Sequence, residues 1–241
     1  MSTELTAADR LIVALDVDTR AEALAIVDML DGLVSFFKIG WRLFIREGFS
    51  LAKDLIGQDK RVFLDLKMDD IEETITTALA NFPAEGIALL TLQGGAATAR
   101  AAQRGRGNRP YPKLLNVTLL SSLDTHDLQE NFNTKTFDAD QYVLWKAQQA
   151  LAAGIDGLIA SGHSVKIIRE NIPGDYLIVT PGIRPSGASK NDHKRILTPY
   201  DAIVAGSDYL VVGRPIRTAV DPRGVAENMI TDIENGLRDR S

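Results

Sequence analysis

The 241 residues contain no cysteine. That excludes a disulfide framework, thiolate metal sites and a cysteine nucleophile, and it suits a reducing compartment. No stretch approaches the length needed to span a membrane, and the opening residues MSTELTAADR lack the apolar core of a signal peptide. The expectation is a cytoplasmic protein with no membrane partner. A basic surplus is missing too. The net charge is −5, which argues against duplex nucleic acid as a partner, since that favours broad basic surfaces. A small anionic ligand held by a few local cations is compatible with it. The only basic cluster, Arg104-Gly-Arg-Gly-Asn-Arg109, sits among Gly, Asn and Pro and reads as a solvated loop. Of the three histidines, His126 and His163 have no clustered partners and read as non-functional.

What is present is an ordinary globular balance, 45% hydrophobic and 24% charged. The length suits one closed α/β barrel, a single domain over residues 1–241. Short β-branched or apolar runs alternate with longer amphipathic segments, the rhythm of βα units around a parallel sheet. The runs expected as strands are Leu11–Asp16, Ser35–Ile39, Arg61–Leu66, Gly86–Leu92, Lys113–Thr118, Gly157–Ala160, Tyr176–Thr180 and Tyr209–Gly213. Eight of them predict a (β/α)8 TIM barrel. Helix starts are marked as well. Thr19-Arg-Ala-Glu22 is a capping box, followed by the apolar stripe Leu24, Val27 and Leu30. Thr198-Pro199 and Asp221-Pro222 each offer an N-cap before a first-turn proline, and Val225, Met229, Ile233 and Leu237 recur at helical spacing. The two longest loops, Ser121–Asp138 and Arg184–Arg195, follow strands and so fall on the face where barrels place active sites.

Barrel strands alternate between lumen and helix layer. In Phe63-Leu-Asp-Leu-Lys67 the two leucines suit the helix layer, so Asp65 and Lys67 point inward. The same alternation turns Ala14 and Asp16 inward on the first strand, and Phe36 and Lys38 on the second. Three neighbouring strands thus end in inward charges, which must pair or face a ligand because an unpaired buried charge is very costly. Asp70 follows at once, completing an Asp-x-Lys-x-x-Asp run. A structural ion-pair network would explain position alone; the concentration of charge favours function.

The opposite side of the mouth differs. Val179-Thr-Pro-Gly-Ile-Arg-Pro185 ends the seventh strand and Val211-Val-Gly-Arg-Pro215 the eighth. Loops after strands seven and eight form phosphate sites in such barrels. Gly182 and Gly213 would let the backbone approach an anion, and Arg214 offers a charged fork for phosphate oxygens.

Together these segments resemble the orotidine 5'-monophosphate decarboxylase family. The resemblance runs from Ala14-Leu-Asp-Val17 through Phe37-Lys-Ile-Gly40, Phe63–Ile71 with Thr74, and Val117-Thr-Leu-Leu-Ser-Ser122 to Val179–Pro185 and Val211–Ile216. It implies a cofactor- and metal-independent decarboxylase with Lys67 as proton donor inside an array of Lys38, Asp65 and Asp70. It implies that Asp16 and Lys38 hold ribose hydroxyls and that Ser122, with Ser121 beside it, contacts the pyrimidine. Pro181, Gly182 and Arg184 belong to the loop after strand seven, and Gly213 and Arg214 bind phosphate. It implies a homodimer in which Asp70 and Thr74 complete the neighbouring site, with Ile71 as a substrate contact. Three positions depart from the family pattern: Glu72 stands where proline is usual, Gln93 near the usual histidine, and His193 where the phosphate loop carries glutamine. His193 could still donate to phosphate, which would make binding pH-dependent. Two rivals stay open: a metal-dependent sugar-phosphate decarboxylase or aldolase of the same barrel group, and a non-catalytic nucleotide-binding barrel.

Overall fold

A computed structural model gives the structure of residues 5–83, 85–120, 122–134, 136, 138–185 and 197–240. Eight parallel strands close on themselves in sequence order. They are β1 (Leu11–Ala14), β2 (Phe36–Gly40), β3 (Arg61–Met68), β4 (Ile87–Leu92), β5 (Lys113–Val117), β6 (Gly157–Ile159), β7 (Leu177–Pro181) and β8 (Tyr209–Val212). The ring is sealed by pairing Leu11, Ile12 and Val13 of β1 with Leu210, Val211 and Val212 of β8. Every expected strand is present with its ends shifted by two residues at most. The largest shifts are at β1, which stops at Ala14, and β3, which runs on to Met68.

The period-2 alternation separates two cores. Ile12, Ala14, Phe36, Phe63, Leu89, Leu115, Val179 and Val211 fill the lumen. Their strand neighbours, among them Val13, Phe37, Ile39, Leu64, Leu90 and Val212, join the helices in the outer core. The lumen is packed, so a ligand can lie only at its mouth.

The helix starts follow their chemistry. Thr19 accepts from the Glu22 amide at 3.2 Å while Glu22 accepts from the Thr19 amide at 3.2 Å, opening the helix Arg20–Met29. Thr198 caps Pro199–Val204 through the Asp201 amide at 3.1 Å. Asp221 receives the Gly224 amide at 2.9 Å ahead of the last helix, Pro222–Arg240.

Two expectations change. Residues 121–138 are not one open loop: Asp124 and Asp127 form a second capping box, and a helix runs over Thr125–Asn131. The basic cluster is not a solvated loop. Arg104 and Arg106 lie in the helix Ala96–Arg106, where Arg104 pairs with Glu72 at 2.7 Å and the half-buried Arg106 pairs with Asp156. Arg109 donates to the carbonyls of Phe82, Arg106, Leu79 and Gly105. These guanidinium groups tie the end of one helix to its neighbours, and a guanidinium carries enough donors to satisfy several carbonyls at once. Among the described residues no helix is long and apolar enough to cross a membrane.

Candidate active site

At the C-terminal mouth the inward charges of the first three strands form one continuous chain. Lys38 Nζ lies 3.0 Å from Asp16 Oδ1 and 3.4 Å from Asp65 Oδ2. Asp65 Oδ1 in turn accepts from Lys67 Nζ at 2.8 Å. The order is carboxylate, ammonium, carboxylate, ammonium, each group neutralised by its neighbour. Lys38 is buried, and its side chain retains 9% exposure; the flanking Asp16 reaches 45% and Lys67 32%, so the ends of the chain meet solvent or ligand. Burial by itself pushes the Asp65 carboxyl up, but the ammonium groups of Lys38 and Lys67, with hydrogen bonds from Lys67 and Thr91, outweigh it. Asp65 is held below the usual carboxylate range.

Lys67 stands on a distorted stretch. β3 and β4 lose register between Leu64 and Met68, and Lys67 takes φ +47, a left-handed conformation rarely adopted by residues with a side chain. Such backbone states cost about 1–3 kcal/mol and persist where their surroundings enforce them.

Across the mouth, Pro181, Gly182, Arg184, Gly213 and Arg214 face the charge chain over a cavity of about 310 Å³. Gly182 has φ +82, which favours glycine over any residue with a Cβ. Arg184 is fixed by its own backbone, its amide donating to Leu197 at 3.1 Å and its guanidinium to the Ile183 carbonyl at 2.9 Å. Leu119 and Leu120 supply an apolar wall.

The cavity therefore brings together nine of the residues expected from sequence: Asp16, Lys38, Asp65, Lys67, Pro181, Gly182, Arg184, Gly213 and Arg214. It does not bring in Asp70, Ile71, Thr74 or Ser122, which are exposed. Asp70 accepts from the Ile71 amide at 2.6 Å and makes no ion pair among the described residues. Ser121 and His193 lie outside the described residues. Glu72 opens the helix Glu72–Ala80, an acidic residue in the first turn where the helix dipole favours it. The Gln93 amide bonds the Met68 carbonyl at 3.0 Å, and its own carbonyl accepts from Lys146 at 2.9 Å.

Three residues here were not picked out by the sequence pattern. Thr91 bonds both Lys67 and Asp65; its signal is a lone hydroxyl in the apolar run Ile87–Leu92, two residues beyond the lumen-facing Leu89. Lys146 is a buried lysine whose burial pushes its ammonium pKa down. Its signal is the stripe Val143, Lys146, Ala147 and Ala150, a charge placed on the apolar face of the helix Ala139–Ala152. Gly40 is the third: a Cβ there would lie 3.1 Å from Lys38 Nζ.

Fold and mouth together define a (β/α)8 barrel that carries a chain of lysines and aspartates at the C-terminal end of its strands. Residues 9–229 match the family model described as orotidine 5'-phosphate decarboxylase / HUMPS, and the chain belongs to that family. It is 42% identical over 233 residues to the orotidine 5'-phosphate decarboxylase of Nitrobacter winogradskyi, covering 96% of this chain and 95% of that one. It is 43% identical over 236 residues to the same-named protein of a Methylobacterium species, covering 97% and 99%. The crystal structure of orotidine 5'-phosphate decarboxylase from Lactobacillus acidophilus superposes with a TM-score of 0.79 at 35% identity, over 92% of this chain and 98% of that one.

Proposed function

We propose that this chain converts orotidine 5'-monophosphate to uridine 5'-monophosphate and carbon dioxide, a step of pyrimidine biosynthesis, without a metal or an organic cofactor. The observation that carries the reading is the unbroken Asp16–Lys38–Asp65–Lys67 chain facing a glycine and arginine pair across a nucleotide-sized mouth.

The chemistry needs what this arrangement offers. The bond between the pyrimidine and its carboxylate breaks, carbon dioxide leaves, and the electron pair remains on the ring carbon. The Lys67 ammonium stabilises that developing charge and then delivers its proton to the same carbon. Asp65, held ionised, orients the Lys67 side chain, and its negative charge disfavours the bound substrate carboxylate. Asp16 and Lys38 hold the ribose hydroxyls. Gly213 and Arg214 take the phosphate, whose binding energy is available to hold the reacting carbon in place against Lys67. Each carboxylate in the chain already faces an ammonium group, a donor set suited to acid catalysis rather than to holding a divalent cation.

Asp70, Ile71 and Thr74 act from a second copy. Their exposure, with Ile71 at 71% beside the mouth, supports a homodimer in which this segment enters the neighbouring cavity. Ser121, Ser122 and His193 complete the substrate contacts in this reading.

The test is the loss of orotidine 5'-monophosphate absorbance with and without a chelator, beside Lys67→Ala. Chelator-insensitive turnover that collapses in Lys67→Ala is expected. Turnover of a sugar phosphate that appears only with magnesium would replace this reading with the metal-dependent one; tight uridylate binding without turnover would replace it with a binding barrel.

A further inference from the structure

Between its paired positions β3 carries more chain than β4. Leu64 lies opposite Leu90 and Met68 opposite Leu92, so Asp65, Leu66 and Lys67 all face the single residue Thr91. Lys67 absorbs the excess with its left-handed turn, φ +47. The ladder is interrupted there, and a buried amide without an acceptor is costly. The Lys67 amide finds its acceptor in the Thr91 hydroxyl at 2.9 Å.

The same hydroxyl donates to Asp65 Oδ1 at 3.0 Å, the oxygen that receives Lys67 Nζ at 2.8 Å. A closed ring results: Lys67 amide, Thr91 hydroxyl, Asp65 carboxylate, Lys67 ammonium. A hydroxyl both accepts and donates, which this position requires. Valine would fill the same volume and do neither. Thr91 is fully buried and does not line the cavity, so it acts on bound substrate only through Lys67 and Asp65.

We propose that Thr91 is the positioning residue for Lys67: its hydroxyl locks the left-handed turn of the Lys67 backbone and ties it to Asp65, which fixes where the ammonium stands over the lumen. The consequence for rate rests on Lys67 being the proton donor; the ring itself does not. Proton delivery depends on heavy-atom separations near hydrogen-bond distance, and a misplacement of about 1 Å can cost on the order of 10²-fold.

The experiment compares Thr91→Val and Thr91→Ser with wild type. It reads kcat and KM for orotidine 5'-monophosphate, calorimetric binding of uridine 5'-monophosphate, and the carboxyl titration of Asp65 by carbon NMR. The valine variant is expected to lose kcat on the order of 10²-fold with uridylate binding unchanged. Its Asp65 titration should move up, because a donor that favours the ionised form is gone. Serine should restore both. Wild-type kcat and an unmoved Asp65 titration in Thr91→Val would overturn the proposal. Equal impairment of the serine and valine variants would overturn it as well, since the hydroxyl would then fail to restore what the valine variant loses. If Thr91→Val does not fold, Thr91→Ala carries the same expectations. Absence of turnover in wild type defeats the decarboxylase reading alone, and the Asp65 titration then decides the ring.

Discussion

Replacing Asp65 by asparagine keeps the shape of the side chain and removes the negative charge held between two ammonium groups. At an effective dielectric constant of about 20, unit charges at the observed 2.8 and 3.4 Å attract by about 6 and about 5 kcal/mol. Rehydration returns part of this, because Lys67 is 32% exposed, whereas Lys38 at 9% regains little water. Removing one partner of a buried pair costs about 3–5 kcal/mol, and the exposure of Lys67 places Asp65→Asn at the lower end, about 3 kcal/mol. For a chain of this size that corresponds to a melting temperature about 6–12 °C lower. The pH dependence has a definite sign. Asp65 is held below its ordinary value, so its contribution is fully present above the unfolded carboxylate pKa of about 3.9 and is lost as pH falls through the folded value. Urea unfolding at pH 7, pH 5 and pH 3.5 should show a constant gap between wild type and variant at the upper two values and a smaller one at the lowest. A variant as stable as wild type at pH 7, or a gap that does not narrow, refutes the reasoning.

Mixing inactive Lys67→Ala with inactive Asp70→Ala should restore activity if Asp70 works across a dimer. Random exchange makes half the dimers mixed, and each has one intact site, so about a quarter of wild-type activity returns; no recovery in a turnover assay places Asp70 in its own subunit's site. Gly40→Ala should fold, since Gly40 has an ordinary φ of −102. Its new Cβ would lie 3.1 Å from Lys38 Nζ and 3.3 Å from Asp16 Oδ1, and the displaced ammonium should weaken uridylate binding by on the order of tenfold, about 1.4 kcal/mol. Unchanged affinity by calorimetry would show that the pair adjusts without loss.

The strands and their inward charges were legible because alternation in a barrel has period 2 and leaves no choice of face once the flanking leucines are assigned. Caps were legible because Thr19 and Glu22 are near in sequence. Long-range partners were not. Nothing near Arg106 in sequence announces Asp156, and nothing in residues 104–109 shows that Arg109 will reach the carbonyls of Leu79 and Phe82. Composition reads such a cluster as solvated when its donors are taken up by carboxylates and carbonyls from elsewhere in the chain. The helix Thr125–Asn131 did have a local signal, the Asp124–Asp127 box, overshadowed by the polar composition around it. Asp70, Ile71 and Thr74 stand out in sequence through the charged motif they extend, but among the described residues they do not line the cavity.

The alternation of charge itself follows from the stagger of neighbouring strands. Ala14 lies opposite Lys38, Lys38 opposite Phe63, and Gly40 opposite Asp65. Continuing the first register by two residues puts Asp16 level with Gly40, so the two carboxylates face each other across a residue with no side chain. Two carboxylates that share a site repel, and one of them would be driven to hold its proton. Lys38 prevents this from one pleat below. Its long stem climbs past Gly40 and sets Nζ between Asp16 and Asp65, at 3.0 and 3.4 Å. A reading built on chemistry-bearing residues finds Asp16, Lys38 and Asp65 but passes over Gly40, whose contribution is the space it leaves. The pair Lys38-x-Gly40 is therefore one device: the lysine supplies the cation and the glycine the room for it, and either alone would deprive Asp65 of one of the two ammonium groups that keep it ionised.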